Sequence, residues 1–293
     1  MRKEECRIKF EIIVVCFNAG DKLKYTLDSI YGQEYHNYHV IIKDGKSSDG
    51  SLEALKASDY FSGRIATVTD IYSTSDKGIY DGMNEAVNHI WDADRILPGA
   101  HDRYVIFMNC GDCFYDKQTL GKVADYIDEN IDVKQEKPYI FYGNQFNRLT
   151  ETLVSSAPSL NEFALYRNVP CHQVCFYEDR LFKDRGYDLK YRVRADYEHF
   201  LYSIYELGAI TSYIDLVISA YEGGGFSETA ENRKKSEDEH IEITEQYMGK
   251  RAKKYKRIMV ISGAGLRTRL AESKRFSKAY NAVKSLIYGK KKR

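Results

Sequence analysis

The residues of this 293-residue chain that could do chemistry sit in short polar runs, each following a strand-like apolar stretch. The run Asn109-Cys110-Gly111-Asp112 comes directly after RYVIFM. An acid there, beside a glycine that lets backbone approach closely, suits a divalent cation shared with a diphosphate. Mg2+ and Mn2+ take oxygen ligands and keep only one or two protein carboxylates when phosphates supply the rest. The same four residues also read as an ordinary turn. Asp44, near the end of YHVIIKDG, can accept hydrogen bonds from a base or ribose, or serve as a turn aspartate. Asp76-Lys77-Gly78-Ile79 leads into a helix-like segment, so its backbone amides and Lys77 can face an anion. A plain N-cap role for Asp76 is the alternative. The cysteines offer different chemistry: Cys110 and Cys113 with Cys171, His172 and Cys175 hold the ligand types of a tetrahedral zinc site. Against zinc, the first pair flanks Asp112, and the second group runs into a strand, where cysteine is commonly a small core residue. A catalytic cysteine paired with His172 is disfavoured, because adjacent residues on a strand face opposite ways.

These residues need elements to hold them. Apolar runs predict strands over 8–17, 38–45, 64–72 and 103–109, and helices over 21–33, 51–58 and 79–91. This β-α-β-α rhythm predicts an α/β fold with a mostly parallel, Rossmann-like sheet and helices on both faces. Ligands of such sheets bind beyond the carboxyl ends of the strands. The four strands end at Asn18, Asp44, Ser75-Asp76-Lys77 and Asn109 to Asp112, so the topology gathers these loops at one rim. Further strands are expected over 138–146, 153–157, 172–177 and 209–222, and helices over 195–208 and from Glu231 to about Lys254.

Together IIVVCFNAG, VIIKDGKSSDGS, STSDKGIYDGMNEAV, YVIFMNCGD and RVRADYEHFL resemble the family-two glycosyltransferases of the GT-A fold. The likeness is to the bacterial polysaccharide-biosynthesis branch that includes colanic-acid-type enzymes. SDKGIYDGMN is its most specific piece, and CHQVCFY and YEGGGFS follow in the same order. The resemblance spans about residues 8–230 and leaves the C-terminal part outside.

It implies that Val15, Phe17 and Asn18 line the base and ribose of a nucleotide, with Asp44 bonding the base and Asp76 and Lys77 beside the ribose or diphosphate. Asn109 and Asp112 occupy the place of the family's Asp-x-Asp motif, with Asp112 as the ligand of Mg2+ or Mn2+; only the last acid of that motif survives here. Asp196 matches the catalytic base, with Glu198 as the alternative, since residues two apart on a helix point away from each other. His172 and Gln173 match a pair on the acceptor side. The expected reaction is inverting transfer from a nucleotide-diphospho-sugar, taken as a UDP-sugar, to a saccharide or lipid-linked saccharide in cell-surface polysaccharide synthesis.

Charge divides the chain. Residues 250–293 hold 16 basic side chains against one acid, a net of +15 that leaves −14 on the other 249 residues of a chain totalling +1. Leu266, Leu270, Phe276, Tyr280, Val283 and Ile287 recur at helical spacing within this segment. A basic amphipathic helix suits the surface of an anionic leaflet, or packs on the acidic body. Nucleic acid is not expected as a partner, because no recognition motif accompanies the charge. The expected organisation is a transferase domain over 1–230 and a charged helical extension with a basic tail over 231–293. Six unevenly spaced cysteines and the absence of a signal-like leader point to the cytoplasm, with peripheral contact at the inner face of the plasma membrane. Glycine-rich dinucleotide and P-loop patterns are missing, which argues against oxidoreductases and P-loop NTPases. A competing reading is a non-catalytic sugar-nucleotide-binding or membrane-tethering module on the same fold.

Overall fold

Three nearly continuous apolar runs become the centre of the sheet: β1 (Lys9–Cys16), β2 (Tyr38–Asp44) and β4 (Arg103–Asn109). Their residues Ile12 to Val14, Val40 to Ile42 and Tyr104 to Met108 are sealed from solvent, as parallel strands covered on both faces require. The computed structural model describes residues 7–91, 102–222 and 230–261, without the side chains of 230 and 231. The remaining strands are β3 (Thr69–Ser73), β5 (Cys113–Phe114), β6 (Tyr139–Asn147), β7 (Thr152–Val154), β8 (Cys175–Glu178) and β9 (Ile210–Tyr221). The helices are α1 (Asp21–Tyr31), α2 (Ser51–Ala57), α3 (Gly63–Thr67), α4 (Ile79–Asn88), α5 (Thr119–Asn130), α6 (Glu162–Arg167), α7 (Ala195–Tyr205), α8 (Ala230–Met248) and α9 (Lys250–Ile261).

The nine strands of the described residues form one sheet in the order β3-β2-β1-β4-β8-β6-β9-β5, with β7 paired to β6. β3, β2, β1 and β4 run parallel, as do β6 and β9. β8 runs antiparallel between β4 and β6, and β5 and β7 pair antiparallel to β9 and β6. The expected mostly parallel α/β sheet is therefore present, with a mixed second half. Strand order reverses at β1, where the chain leaves β3, passes through α4 and returns to the far side of β1 as β4. A right-handed crossover of this kind puts α4 on the face opposite α1 and α2. The crevice of such a sheet opens at that switch point, between the carboxyl ends of β1 and β4.

Several boundaries differ from the sequence reading. The strand expected over 64–72 is the short helix α3 followed by β3, because pairing to β2 starts only at Thr69. Residues 172–174 are a 3-10 turn, and the strand begins at Cys175. The single helix expected after Glu231 is two, broken at Gly249, whose φ of 55° is left-handed and ends α8. α5 was not foreseen, although Leu120, Val123, Ala124 and Ile127 bury one helical face. The described part of the extension is seated on the body: Ile243, Met248 and Ala252 join the core, and the Tyr255 hydroxyl donates to Glu162 at 2.7 Å. The tail positions from Leu266 to Ile287 lie outside the described residues.

Candidate active site

The loops after β1 and β2 are laced together. Asn18, at a left-handed φ of 48°, accepts from the Ser48 N–H through Oδ1 at 2.8 Å, and its own N–H donates to the Ser47 hydroxyl at 2.8 Å. The Gly20 N–H reaches Asp49 at 2.8 Å. This lacing leaves Phe17 66% exposed at the rim, while Val15 is half-buried behind it. Gly45 makes room there: a Cβ at this position would lie 3.3 Å from the Phe17 ring and 2.9 Å from Asp76 Oδ2.

Asp44, the residue expected to bond the base, sits behind this rim. It is 1% exposed, and its carboxylate accepts from Ser47 N and Oγ, Ser73 Oγ and the Cys16 thiol. Burial pushes its pKa up, but the Ser47 and Ser73 hydroxyls outweigh that and hold it below the ordinary value. The ionised group fixes the loop after β2 through Ser47 and ties it to the end of β3 through Ser73.

Lys43, which the sequence reading passed over, is fully buried. Its ammonium donates to Thr74 O at 2.7 Å and Asp76 Oδ2 at 2.8 Å, with Glu85 3.4 Å away. A buried lysine inside an apolar strand must be paired, and the sequence VIIKDG carried that signal. Asp76 is thus an ion-pair partner as well as a loop acid, and its second oxygen accepts from the Gly78 N–H at 3.1 Å. Lys77 is exposed, with its N–H bonded to Asp81 at 2.8 Å.

Across the switch point, Thr26 of α1 builds the loop after β4. Its hydroxyl accepts from Gly111 N at 2.9 Å and donates to Asp112 O at 2.7 Å. Gly111 takes φ 97°, where a side chain is strained and a Cβ would come within 3.0 Å of Glu222 Oε2. Asp112, 7% exposed, accepts from the Glu222 N–H at 3.0 Å and from the Gln173 amide. Burial raises its pKa, opposed by the Glu222 N–H, His172, Gln173 and Arg148. Arg148 donates to Gly111 O, and the Lys22 ammonium pairs with Glu222 at 2.5 Å.

Asp196 lies in the first turn of α7 with its side chain 23% exposed. Oδ1 accepts from the Tyr80 hydroxyl and the Tyr197 N–H, each at 2.9 Å, and Oδ2 lies 3.1 Å from His172 Nδ1. Burial raises its pKa, but His172, Tyr80 and the Tyr197 N–H together bring it below the usual carboxylate value. His172 Nε2 lies 3.2 Å from the Asn109 amide nitrogen, so a ring protonated at Nδ1 donates to Asp196 and accepts from Asn109. The structure therefore brings together Asn109, Asp112, His172, Gln173 and Asp196: adjacent residues of one 3-10 turn reach the two carboxylates. Tyr80, inside the most specific stretch of the sequence, was missed because an aromatic at a helix start reads as core.

Glu198 is not on this cleft. It is fully buried and paired with Arg185 at 2.9 Å, and it also accepts from the Tyr247 hydroxyl. Packing on the far side of α7 has spent it on anchoring α8. The zinc reading also fails among the described residues, which hold no group of three or more His, Cys, Asp or Glu placed for a metal. The sulfurs diverge instead: Cys110 donates to Val15 O, Cys113 to Ala220 O and Cys175 to Pro170 O, while Cys171 meets the Gln173 side chain.

Residues 11–184 match the family model described as glycosyl transferase family 2. PGL/p-HBAD biosynthesis glycosyltransferases of Mycobacterium tuberculosis and Mycobacterium bovis are 31% identical over 222 residues, 75% of this chain and 79% of theirs. Residues 1–349 of S. aureus TarS, solved with UDP, superpose with a TM-score of 0.57 at 16% identity, covering 85% of this chain and 69% of that one. The mannosyltransferase PcManGT of Pyrobaculum calidifontis, solved with GDP-Man and Mn2+, gives a TM-score of 0.59 at 14% identity over 96% of this chain and 81% of that one. At such low identity the two solved structures establish the shared GT-A fold alone. The sequence matches carry the rest: this chain is a glycosyltransferase and belongs to glycosyl transferase family 2.

Proposed function

We propose that the protein transfers a sugar, with inversion, from a nucleotide-diphospho-sugar, first choice a UDP-sugar, to the hydroxyl of a saccharide or lipid-linked saccharide in polysaccharide assembly of the colanic-acid type. The observation that carries this reading is the pair His172-Gln173, whose side chains meet Asp196 and Asp112 at the switch point of the sheet. Phe17, Asn18 and Val15 form the wall for base and ribose, with the Lys43–Asp76 pair and Lys77 beneath. Asp44 shapes that wall from behind.

An attacking hydroxyl must lose its proton as the new bond forms. Asp196 is the acceptor for that proton: it is ionised, partly open to the cleft, and held from two sides by His172 and Tyr80. General-base help of this kind is worth about 10²–10⁴-fold. On the donor side Asp112, with the Glu222 carboxylate over the neighbouring Gly111, would offer the hard oxygens that Mg2+ or Mn2+ take, because such ions need one or two protein carboxylates when phosphates complete the shell. Bound there, the ion supplies Lewis-acid stabilisation of the departing diphosphate. Lys22, paired with Glu222, and Arg148, bonded to Gly111 O, put positive charge on the same loop, where a diphosphate would be held.

The extension fits a membrane-side acceptor. α9 carries Lys250, Arg251, Lys253, Lys254, Lys256 and Arg257, and leaves Val260 75% and Ile261 86% exposed at its end. No helix among the described residues is long and apolar enough to cross a membrane, so contact of this segment would be peripheral, at an anionic leaflet. The functional reading is tested with UDP- and GDP-sugars in the presence of Mn2+. One donor should raise the melting temperature, and Asp196→Asn should bind it normally yet lose about 10²–10⁴-fold in transfer. Near-normal turnover of Asp196→Asn would overturn the assignment.

A further inference from the structure

Glu239 of α8 belongs to a segment that the family match over 11–184 does not reach. Its side chain is 6% exposed and points at the entrance of α7. Oε1 accepts from the Arg192 N–H at 2.8 Å, and Oε2 accepts from the Val193 and Arg194 N–H groups at 3.0 and 2.8 Å. Three successive backbone donors thus converge on one carboxylate, a nest that holds the chain in a single path. Arg194 is the N-cap of α7 and lacks a side-chain cap bond of its own; Glu239 satisfies its N–H, one of those the helix leaves open, together with the two N–H groups of the loop before it. The grip is doubled by the Arg194 guanidinium, which donates through Nε to Ser236 O and Oγ at 2.8 and 2.7 Å. From the other side, the Tyr80 hydroxyl lies 2.9 Å from Val193 O and from Asp196 Oδ1. Asp196 stands two residues beyond the nest.

The geometry assigns Glu239 as a positioning residue for Asp196: α8 clamps the loop that leads into α7, in whose first turn the base lies, so the extension completes the catalytic centre. This rests on the reading of Asp196 as the base. A carboxylate is suited to the task and an amide is not, because a glutamine offers one acceptor oxygen to three donors and turns an N–H against the others. Misplacing a catalytic group by about 1 Å can cost about 10²-fold in rate.

The test uses the full chain, with Glu239→Gln, Glu239→Asp and Asp196→Asn, alone and combined, assayed for kcat, donor KM and melting temperature. Glu239→Gln is expected to lower kcat about 10–100-fold with donor KM within about twofold. In the Asp196→Asn background it should cause no further loss, because the two residues act as a unit. Glu239→Asp, which keeps the charge, should recover part of the rate. Equal losses of Glu239→Gln in both backgrounds, or unchanged kcat while Asp196→Asn is impaired, would overturn the positioning role alone. Near-normal transfer by Asp196→Asn would instead overturn the base assignment on which it rests. Should Glu239→Gln fail to fold, Ser236→Ala, which loosens the same turn through Arg194, is expected to show a smaller kcat loss with donor KM unchanged; no kcat change there would equally overturn the positioning role.

Discussion

Replacing Tyr80 by Phe removes one oxygen and little else. The residue is 9% exposed, and its ring packs 5.2 Å from that of Tyr187, contacts that phenylalanine keeps. What disappears is the hydroxyl 2.9 Å from both Val193 O and Asp196 Oδ1. A hydrogen bond to a charged acceptor is worth about 1.5–3 kcal/mol, and sharing one proton between two acceptors puts this one at the low end. Because the bond favours the ionised carboxylate, its loss moves the protonation of Asp196 to higher pH, by about one pH unit for each ~1.4 kcal/mol lost. The acid limb of kcat/KM should therefore move to higher pH. Near pH 8, where Asp196 stays ionised, the rate should fall by less than about tenfold, the part due to looser orientation. Initial rates from pH 4 to 9 at fixed Mn2+ read both quantities. An acid limb in its original place together with an unchanged plateau would refute the argument, because Tyr80 would then touch neither the charge nor the placement of the base.

Three further outcomes separate scaffold from chemistry. Glu198→Gln keeps an acceptor for Arg185 and Tyr247, so kcat should stay within about threefold while stability falls by about 1–3 kcal/mol, read by urea unfolding; a collapse of kcat with stability intact would return Glu198 to the chemistry. His199 is fully buried against Phe182, ring to ring at 4.2 Å, and burial with the nearby Arg185 charge lowers its pKa to about 3. The unfolded chain binds a proton there below about pH 6.5 and the folded chain does not, so stability should drop by up to ~1.4 kcal/mol per pH unit as pH falls from about 6 towards 4.5. His199→Phe should flatten that slope, and an unaltered slope would rule His199 out as its source. Removing residues 262–293, which spares the packed α9 and its cations but takes away most of the basic tail, should weaken binding to anionic vesicles with transfer to a soluble acceptor retained; binding as tight as before would confine the contact to α9 or place it elsewhere.

The fold's first half was legible because its signals are local. Runs such as YVIFM and periodic helices fix β1 to β4, and a parallel sheet then dictates where the loops after Asn18, Asp44, Asp76 and Asn109 must gather. What was not legible is the division of labour among similar acids. Asp44 and Glu198 have the same carboxylate chemistry as Asp112 and Asp196, yet packing encloses the first two and leaves Asp196 partly open. That sorting depends on partners far away in sequence: Ser73 for Asp44, Arg185 and Tyr247 for Glu198, Gln173 and Glu222 for Asp112. Apart from Arg185 and Glu198, the members of these pairs are too far apart in sequence for one short window to hold both. The same holds for the extension: the expected organisation sets residues 231–293 apart from the transferase domain, and one carboxylate at 239 meeting three N–H groups at 192–194 ties α8 to the loop before α7. A charged helix whose acids reach inward looks, in one dimension, the same as one whose acids face water. Only the burial of Glu239 separates the two, and there its carboxylate takes up three backbone N–H groups of the loop before α7.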